Sequence, residues 1–419
     1  MVTAESPLID APTLRALLRQ RAYVRMWSAR LLGNLATQIE SIALAWHVYA
    51  VARLTGTVAE GAFAVGMLGL AQFLPMFALA LLAGETADRK DRRVIMLVCL
   101  AVEFASAAAF AALAHWQVPA LWPIYLLAVV FGVARAFFSP ASTALGPTLV
   151  PRPLLPRAIA MNSLSWQLAS VIGPAIGGLL VAASSTVAFA GAAVLFAAAV
   201  VILFGFASPP QIGAQGASRM TQIREGLRYL WSNKIVLGAI SLDLFAVLLG
   251  GATALLPVFA RDILHVGSQG FGILRAAPAV GGVAVAALLS ARPIRHHAGI
   301  KMLLGVAAFG AATVVFALSR SLWLSAATLA LLGASDMISV FVRQSLVQIA
   351  TPNEMRGRVS AVSTLFIGAS NELGEFESGV VARLLGPIGA TLFGGVGALG
   401  VTGLWAILFP DLRRADGLD

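Results

Sequence analysis

Residues 84–114 read GETADRKDRRVIMLVCLAVEFASAAAFAALA: a short segment crowded with charge, then an apolar run from Val94 to Ala114 that Glu103 alone interrupts. An apolar stretch longer than about 18 residues spans a membrane, because a water-exposed helix would need a polar face. The run at 187–207 has the same character. Around them lies a chain of 419 residues that is 59% hydrophobic and only 11% charged, with a mean hydropathy of +0.87. Soluble domains carry roughly a quarter charged residues, so water is not the main solvent here. A membrane β-barrel is excluded, since its strands would be about ten residues of alternating polarity. A single cysteine, Cys99, excludes a disulfide-built fold.

Apolar runs recur at 28–52, 58–83, 93–114, 120–143, 157–183, 187–207, 235–261, 268–290, 299–318, 322–345, 357–384 and 387–409. The expectation is an all-α membrane protein of twelve spans. The net charge of +10 could suggest nucleic acid, but the cations alternate by loop rather than gather on one face. Roughly 22 of the 29 basic residues fall on one side of the twelve spans, the pattern that marks the cytoplasmic side. Both termini are therefore expected in the cytoplasm, in a cell inner membrane, with lipid and not nucleic acid as the surrounding partner. The start of the chain shows no signal-peptide pattern. Leu14, Leu17, Leu18 and Met26 alternate with arginines, which predicts an amphipathic segment over 12–25 lying on the anionic inner leaflet.

The longest polar connection, 208–233, divides the chain. We expect a cytoplasmic N-terminal segment (1–27), a six-helix half (28–207), a linker with an interfacial helix over 220–231 (208–234), a second six-helix half (235–410) and a cytoplasmic tail (411–419). An offset of 201 residues superposes Gly132 on Gly333, Pro151 on Pro352, Arg157 on Arg358, Ala160 on Ala361, Leu164 on Leu365, Gly173 on Gly374 and Gly178 on Gly379. Six spans separate the copies, so the halves are expected to be parallel repeats about an axis along the membrane normal.

Two motifs sit within this frame. The loop Gly84-Glu85-Thr86-Ala87-Asp88-Arg89-Lys90-Asp91-Arg92-Arg93 resembles the signature loop of the major facilitator superfamily, with Asp91 where glycine is usual. The fifth span carries Gly173-Pro174-Ala175-Ile176-Gly177-Gly178, similar to the motif associated with exporters of that superfamily, with Ala169 replacing an earlier glycine. Asn34 to Tyr49 and Glu372 to Gly379 resemble the branch that holds the enterobactin exporter and macrolide and multidrug efflux proteins. The resemblance implies a major facilitator fold in which spans one, four, seven and ten line a central cavity and two, five, eight and eleven close its sides. It also implies that Asp88 latches a gate, with Gly84, Arg89, Arg92 and Arg93. Exposed ion pairs are worth only about 0–1 kcal/mol, so such a loop can exchange partners cheaply. Gly173, Gly177 and Gly178 would let a neighbouring backbone come close, and Pro174 would bend the helix. That is either a seal against proton leak or generic packing. The counterpart loop, Ser290 to Lys301, keeps Arg292, Arg295 and Lys301 but no acid.

A charge inside the bilayer costs roughly 2.5–3.5 kcal/mol on insertion scales, which makes each one a functional candidate. Glu372 and Glu375, three apart on one helix face, cannot both ionise cheaply in a poorly hydrated site, so one of them is expected to hold a proton. Glu40 beside Gln38, and Asp336, are further proton-coupling candidates, while Glu103 on a peripheral span reads as structural. Arg135 and Asp336 are equivalent in the 201-residue repeat and are expected either to face each other across the cavity or to hold a fixed structural pairing within a half. Asn34 and Asp243 pair in a looser alignment. Asn34, Gln38, Arg135, Asp243, Trp166 and Phe137 are the expected substrate-cavity residues. The five histidines have no metal-ligand spacing, a phosphate-binding loop is absent, and no nucleophile with a base is legible. No metal, no cofactor and no enzyme activity are expected. The whole predicts a monomeric, proton-coupled exporter of an amphipathic small molecule, a drug or a siderophore. A lipid or lysolipid flippase of the same fold is the alternative, and a non-transporting receptor or scaffold is the alternative from another class.

Overall fold

The computed structural model describes residues 14–205, 219–292, 294 and 296–416. Residues 1–13, the linker stretch 206–218, Pro293, Arg295 and the last three residues lie outside them, and with them parts of the expected N-terminal segment, linker and tail. The described chain is all helix and turn. Its long helices are α1 (Arg21–Ala52), α2 (Val58–Arg89), α3 (Arg92–His115), α4 (Trp122–Leu145), α5 (Leu155–Ala183), α6 (Ser185–Phe204), α7 (Lys234–Leu249), α8 (Gly267–Ala291), α9 (Ala298–Leu318), α10 (Leu322–Ala350) and α11 (Asn353–Leu408). Ten segments among the described residues are long and apolar enough to cross a membrane. They begin with α2; α1, whose later part carries Asn34, Gln38, Glu40 and His47 among apolar residues, is not one of them. The last of them, Phe366–Leu408, contains a break. Gly386 has φ 75° and ψ 166°, a region open essentially to glycine alone, and Pro387 follows it, so α11 consists of two arms.

Helix boundaries follow local chemistry. Thr57 and Glu60 cap α2 reciprocally, the Thr57 hydroxyl accepting from the Glu60 amide while the Glu60 carboxylate accepts from the Thr57 amide at 2.7 Å. Asp91 caps α3 through the Arg93 amide, 2.8 Å away. The expected seventh span, 235–261, is interrupted: α7 stops at Leu249, Gly250 and Gly251 follow, and short helical turns continue to Ile263. Irregular backbone is tolerated at this depth because Gly251 is covered by Gly374 and Ser378 of α11.

The first six helices pack as α1 on α5 and α6, α2 on α4, and α3 on α4 and α6. In the later helices α7 packs on α11, α8 on α10, and α9 on α10 and α11. Two further packings join the groups, α2 with α11 and α5 with α8. The glycines offset by 201 residues sit at matching crossings. Gly132 lies against the Gln72 carbonyl of α2, and Gly333 against the Pro278 carbonyl of α8. A methyl on Gly173 would meet Gln38 of α1 at 2.5 Å, and one on Gly374 would meet Leu248 of α7 at 2.9 Å. A methyl on Gly178 would lie 2.6 Å from the Gly272 Cα, and one on Gly379 would lie 2.8 Å from the Gly66 Cα. Side chains larger than hydrogen would hold these backbones apart.

The apolar core shows where the groups meet. At the end of the bundle with the short turns 53–57 and 116–121, one buried cluster joins Tyr49, Val65 and Phe189 to Phe259, Phe271 and Phe316. At the other end, which carries both described termini, the core is divided. Met26, Leu100 and Phe196 belong to a cluster of the first six helices, while Met302 and Leu412, or Val347 and Val359, belong to clusters of the later ones. The bundle is joined at one end and split at the other.

The segment expected to be amphipathic over 12–25 is not one helix. Leu14–Leu18 forms a short helix, a turn follows, and α1 starts at Arg21. Leu17 is buried with Tyr23 and Met26, whereas Leu14 and Leu18 stay about half exposed. The linker helix, expected over 220–231, spans Arg219–Ser232. It is held to the later helices by the Tyr229 hydroxyl donating to the Ala350 carbonyl at 2.5 Å and by Arg358 pairing with Glu225 at 2.7 Å.

Candidate functional site

Where the shared core gives way to the split, a cavity of about 520 Å³ opens between the two groups of helices. Its wall draws on α1, α2, α4 and α5 on one side and on α7, α8, α10 and α11 on the other. Arg135 of α4, Arg275 of α8, Asp336 of α10, and Glu372 and Glu375 of α11 all line it. Gln38 donates to the Ser170 hydroxyl at 3.4 Å, tying α1 to α5 in the wall. Trp166 adds the face of an indole, 46% exposed. Three carboxylates and two guanidinium groups around an enclosed space can bind cationic and anionic groups of one ligand while the indole covers an apolar part. Glu372 and Glu375 share the cavity face of α11, Glu375 lying against Gly69 of α2.

Several side chains expected here are elsewhere. Glu40 is fully buried, away from the cavity lining, and faces Glu103 of α3 and Arg135 rather than the space itself. Asn34, 7% exposed, is turned into the first group of helices, and Phe137 packs against that group's core. Asp243 lies outside the main cavity, in a buried ion pair with Arg343 of α10, beside a small void that Asp336 also borders. Arg135 and Asp336 do line one cavity, yet the charges within reach of Asp336 are Asp243 of the neighbouring α7 and Arg343 of its own helix. The reason is economy of desolvation: a buried carboxylate settles by the closest cation, and Arg343 pairs directly with Asp243 and lies two turns from Asp336 on α10, while Arg135 is on the other side of the cavity. Trp46 of α1 stacks on Phe271 at 5.7 Å, against the shared core.

Sequence reasoning missed two sets. Arg275 and Arg343 are intramembrane arginines, and that alone should have nominated them. The second set closes the joined end. Asp262, after α7, accepts from the Tyr49 hydroxyl of α1, and Arg53 at the end of α1 approaches its other oxygen at 3.4 Å. Arg261 stands over the Tyr49 ring at 5.9 Å, and Arg383 of α11 over Phe63 of α2 at 4.9 Å. A lone Asp at the end of an apolar span carries no sequence signal for this.

The signature loop is built into the split end of the first six helices. Arg92 donates to the Ala87 carbonyl at 2.9 Å and to the Ala144 carbonyl of α4 at 3.2 Å. Arg93 donates to the last carbonyls of α6, Leu203 at 3.0 Å and Phe204 at 2.8 Å. Cations at helix C-termini are favoured by the exposed carbonyls and the helix dipole. Arg89 pairs with Glu85 at 2.7 Å on an exposed face of α2, and Gly84 is buried in that helix. Gly173 and Gly177 seat α5 on Gln38 and Ile42 of α1, leaving Gly178 for the crossing with α8; Pro174 lies inside the helix between them. Among the described residues no group of three or more His, Cys, Asp or Glu side chains is placed to hold a metal ion.

Comparison with known proteins gives this architecture its place. The family described as transmembrane secretion effector matches residues 13–419. The enterobactin exporter EntS of Shigella boydii serotype 18 is 27% identical over 410 residues, covering 96% of this chain and 93% of its own. Among solved structures, the POT family transporter PepTSo superposes with a TM-score of 0.72 at 13% identity, over 95% of this chain and 99% of that one. A bacterial homologue of the lysosomal transporter Spinster, in an inward-facing and unoccupied conformation, superposes with a TM-score of 0.68 at 14% identity, over 94% and 96%. At such identities the structures establish the fold, and the sequence family establishes the class. The chain is a multi-pass membrane transporter, not an enzyme, and belongs to the transmembrane secretion effector family of the major facilitator superfamily.

Proposed function

We propose that this transporter is a proton-coupled exporter of amphipathic small molecules, a drug or a siderophore, working by alternating access between two six-helix halves. The observation that carries the reading is the convergence of Arg135, Arg275, Asp336, Glu372 and Glu375, from four helices of both groups, on one space where the common core divides. Ionisable groups so placed can exchange protons with water that enters from one side at a time.

Twelve spans follow if α1 and both arms of α11 are counted. The repeated packing order and the matched glycine crossings support two parallel six-helix halves, 28–207 and 235–410. The split end carries Arg89, Lys90, Arg92, Arg93, Arg152, Arg157, Arg292, Arg356 and Arg358, so it is assigned to the cytoplasm of an inner membrane, with both termini. The cavity then faces inward, and the Tyr49–Arg53–Asp262 set is the outer gate. Loading from the cytoplasm and release outside suit an exporter, and the named activity of the relative EntS points the same way.

Glu372 and Glu375 are assigned to carry the coupling proton, because they share one helix face in the cavity with Arg275 and Arg135 in reach. The test is efflux of an amphipathic dye from cells that lack their own pumps. Wild type should lower the accumulated dye in a manner abolished by a protonophore, and E372Q and E375Q should each lose that effect. Equal accumulation with and without the wild-type protein across a panel of dyes, drugs and siderophores would overturn export, and protonophore-insensitive efflux would overturn coupling.

A further inference from the structure

Two acids of the first half take no part in the cavity. Glu40 of α1 and Glu103 of α3 are 0% and 2% exposed and lie within electrostatic reach of each other. Neither carboxyl oxygen of Glu40 has a hydrogen-bond partner. Glu103 stands on a helix whose outer face meets lipid, as Val98 and Phe104 show by their exposure, yet its own side chain is turned inward to α1 and α4. Packing alone would choose an apolar residue at both positions, since burying a carboxylate without donors is costly.

The groups that face the pair can be named helix by helix. From α4 comes Arg135, within reach of both Glu40 and Glu103. From α3 itself comes Cys99, one turn before Glu103 and buried. On α1, His47 is two turns away with its Nε2 unpartnered, its ring set edge-on against Phe189. α6, which packs on both α1 and α3, offers no ionisable side chain, only residues such as Ala192 and Phe196. α2 and α5 bring Gln72 and Ser170 toward the cavity and no charge toward the pair. Among the described residues the pair therefore has one counterion, and that counterion is shared. Arg135 also lines the cavity and is within reach of Glu372 on α11, across from it. Two ionised carboxylates beside one divided guanidinium would leave a net buried negative charge, which one bound proton removes.

We propose that Glu40 and Glu103 form a second proton-binding site behind the cavity wall, holding one exchangeable proton between them, and that Arg135 couples its loading to the occupant of the cavity. The inference rests on the proton-coupled reading above and deepens it. When Arg135 turns to Glu372 or to an anionic group of the cargo, the pair, already holding one proton, loses its counterion and takes a second proton from cavity water, so that both carboxyls are neutral. When Arg135 returns, that second proton leaves to water, the first stays on the pair, and no other bond changes. The wall pair and the cavity pair thus compete for one cation, which links proton movement in the first half to cargo in the space between halves.

The test uses the purified full-length protein in lipid nanodiscs and reads the infrared C=O stretch of protonated carboxylic acids, in water and in deuterium oxide, across a pH series. Wild type should show, at neutral pH, an acid band that shifts on deuteration and that is lost in both E40Q and E103Q but kept in E372Q. Should one of these variants not fold, the other suffices, because the proposal requires the band to vanish in each. R135Q, which removes the counterion, should keep the band at a proton concentration at least tenfold below that at which wild type loses it. Bands in E40Q and E103Q that superpose on wild type would overturn the site. A band in R135Q that titrates with that of wild type would overturn the coupling through Arg135. The measurement needs no transport, so an inactive wild type in the efflux assay would sink the exporter reading while leaving this result to stand or fall alone.

Discussion

Replacing Asp262 by Asn should shift the protein toward an outward-open state, and the size of the shift can be worked from the contacts. The Asp262 carboxylate accepts from the Tyr49 hydroxyl and faces Arg53 at 3.4 Å, with both charged side chains about one quarter exposed. A hydrogen bond to a charged group contributes about 1.5–3 kcal/mol, and a partly exposed ion pair about 0–1 kcal/mol. Asparagine keeps a neutral acceptor for Tyr49, so the net loss is about 1–2 kcal/mol, a factor of roughly 5–30 in the closed-to-open ratio. Gly66–Gly379 and Gly178–Gly272 crossings remain, so the gate is weakened rather than abolished. The assay is electron–electron resonance between nitroxides at Leu54→Cys, in the turn after α1, and Gln269→Cys, in the first turn of α8, with the buried Cys99 replaced by Ala. The short distance should dominate in the parent, and a longer one should gain at least fivefold in D262N. Y49F should move the distribution the same way by less. A D262N distribution that overlays the parent would refute the assignment of these residues as a gate.

The remaining predictions are independent of one another. R343M leaves Asp243 as an uncompensated charge, both side chains being nearly buried, and should destabilise the protein by about 3–5 kcal/mol in thermal unfolding, whereas D243L/R343M should recover most of that loss. G178L cannot fit where the Gly272 Cα would lie 2.6 Å from a methyl; it should hold the α5–α8 crossing apart and enrich the long distance in the same resonance measurement. Outside the membrane, the His297 amide donates to Asp416 at 2.6 Å and holds its carboxyl below the ordinary value. Since the folded group is the more acidic one, the docking is complete above the usual carboxylate range and is lost as pH falls through the lowered value. Trypsin cleavage after Arg414 should therefore stay slow at neutral pH, and D416A should accelerate it there.

What could be read from sequence was whatever hydropathy, charge alternation and glycine spacing encode. Apolar runs located the spans to within a few residues because lipid demands that each backbone group be satisfied within its own helix. The exception, the interruption at Gly250 and Gly251, was hidden because apolar residues continue through it and only tertiary cover makes it tolerable. Gly173, Gly177 and Gly178 were legible, since small residues at helical spacing have few uses other than close approach. Their partners were not. Gln38 and Asn34 are one turn apart on α1, yet one lines the cavity and the other is buried, and a membrane helix apolar on most faces gives no moment to separate them. Pairings such as Asp243 with Arg343 or Tyr49 with Asp262, 100 and 213 residues apart, depend on helix rotation and tilt that charge alone does not set.

Cargo and protons are proposed to cross in opposite directions through the space between the halves. The most direct measurement uses proteoliposomes that hold a pH-sensitive dye and the reconstituted protein, given an amphipathic substrate identified by the efflux panel and an imposed substrate gradient with no initial pH difference. Proton movement against the substrate flow, dependent on substrate and absent in the E372Q/E375Q double variant, is the expected result. Substrate that equilibrates with no accompanying change in internal pH would contradict it.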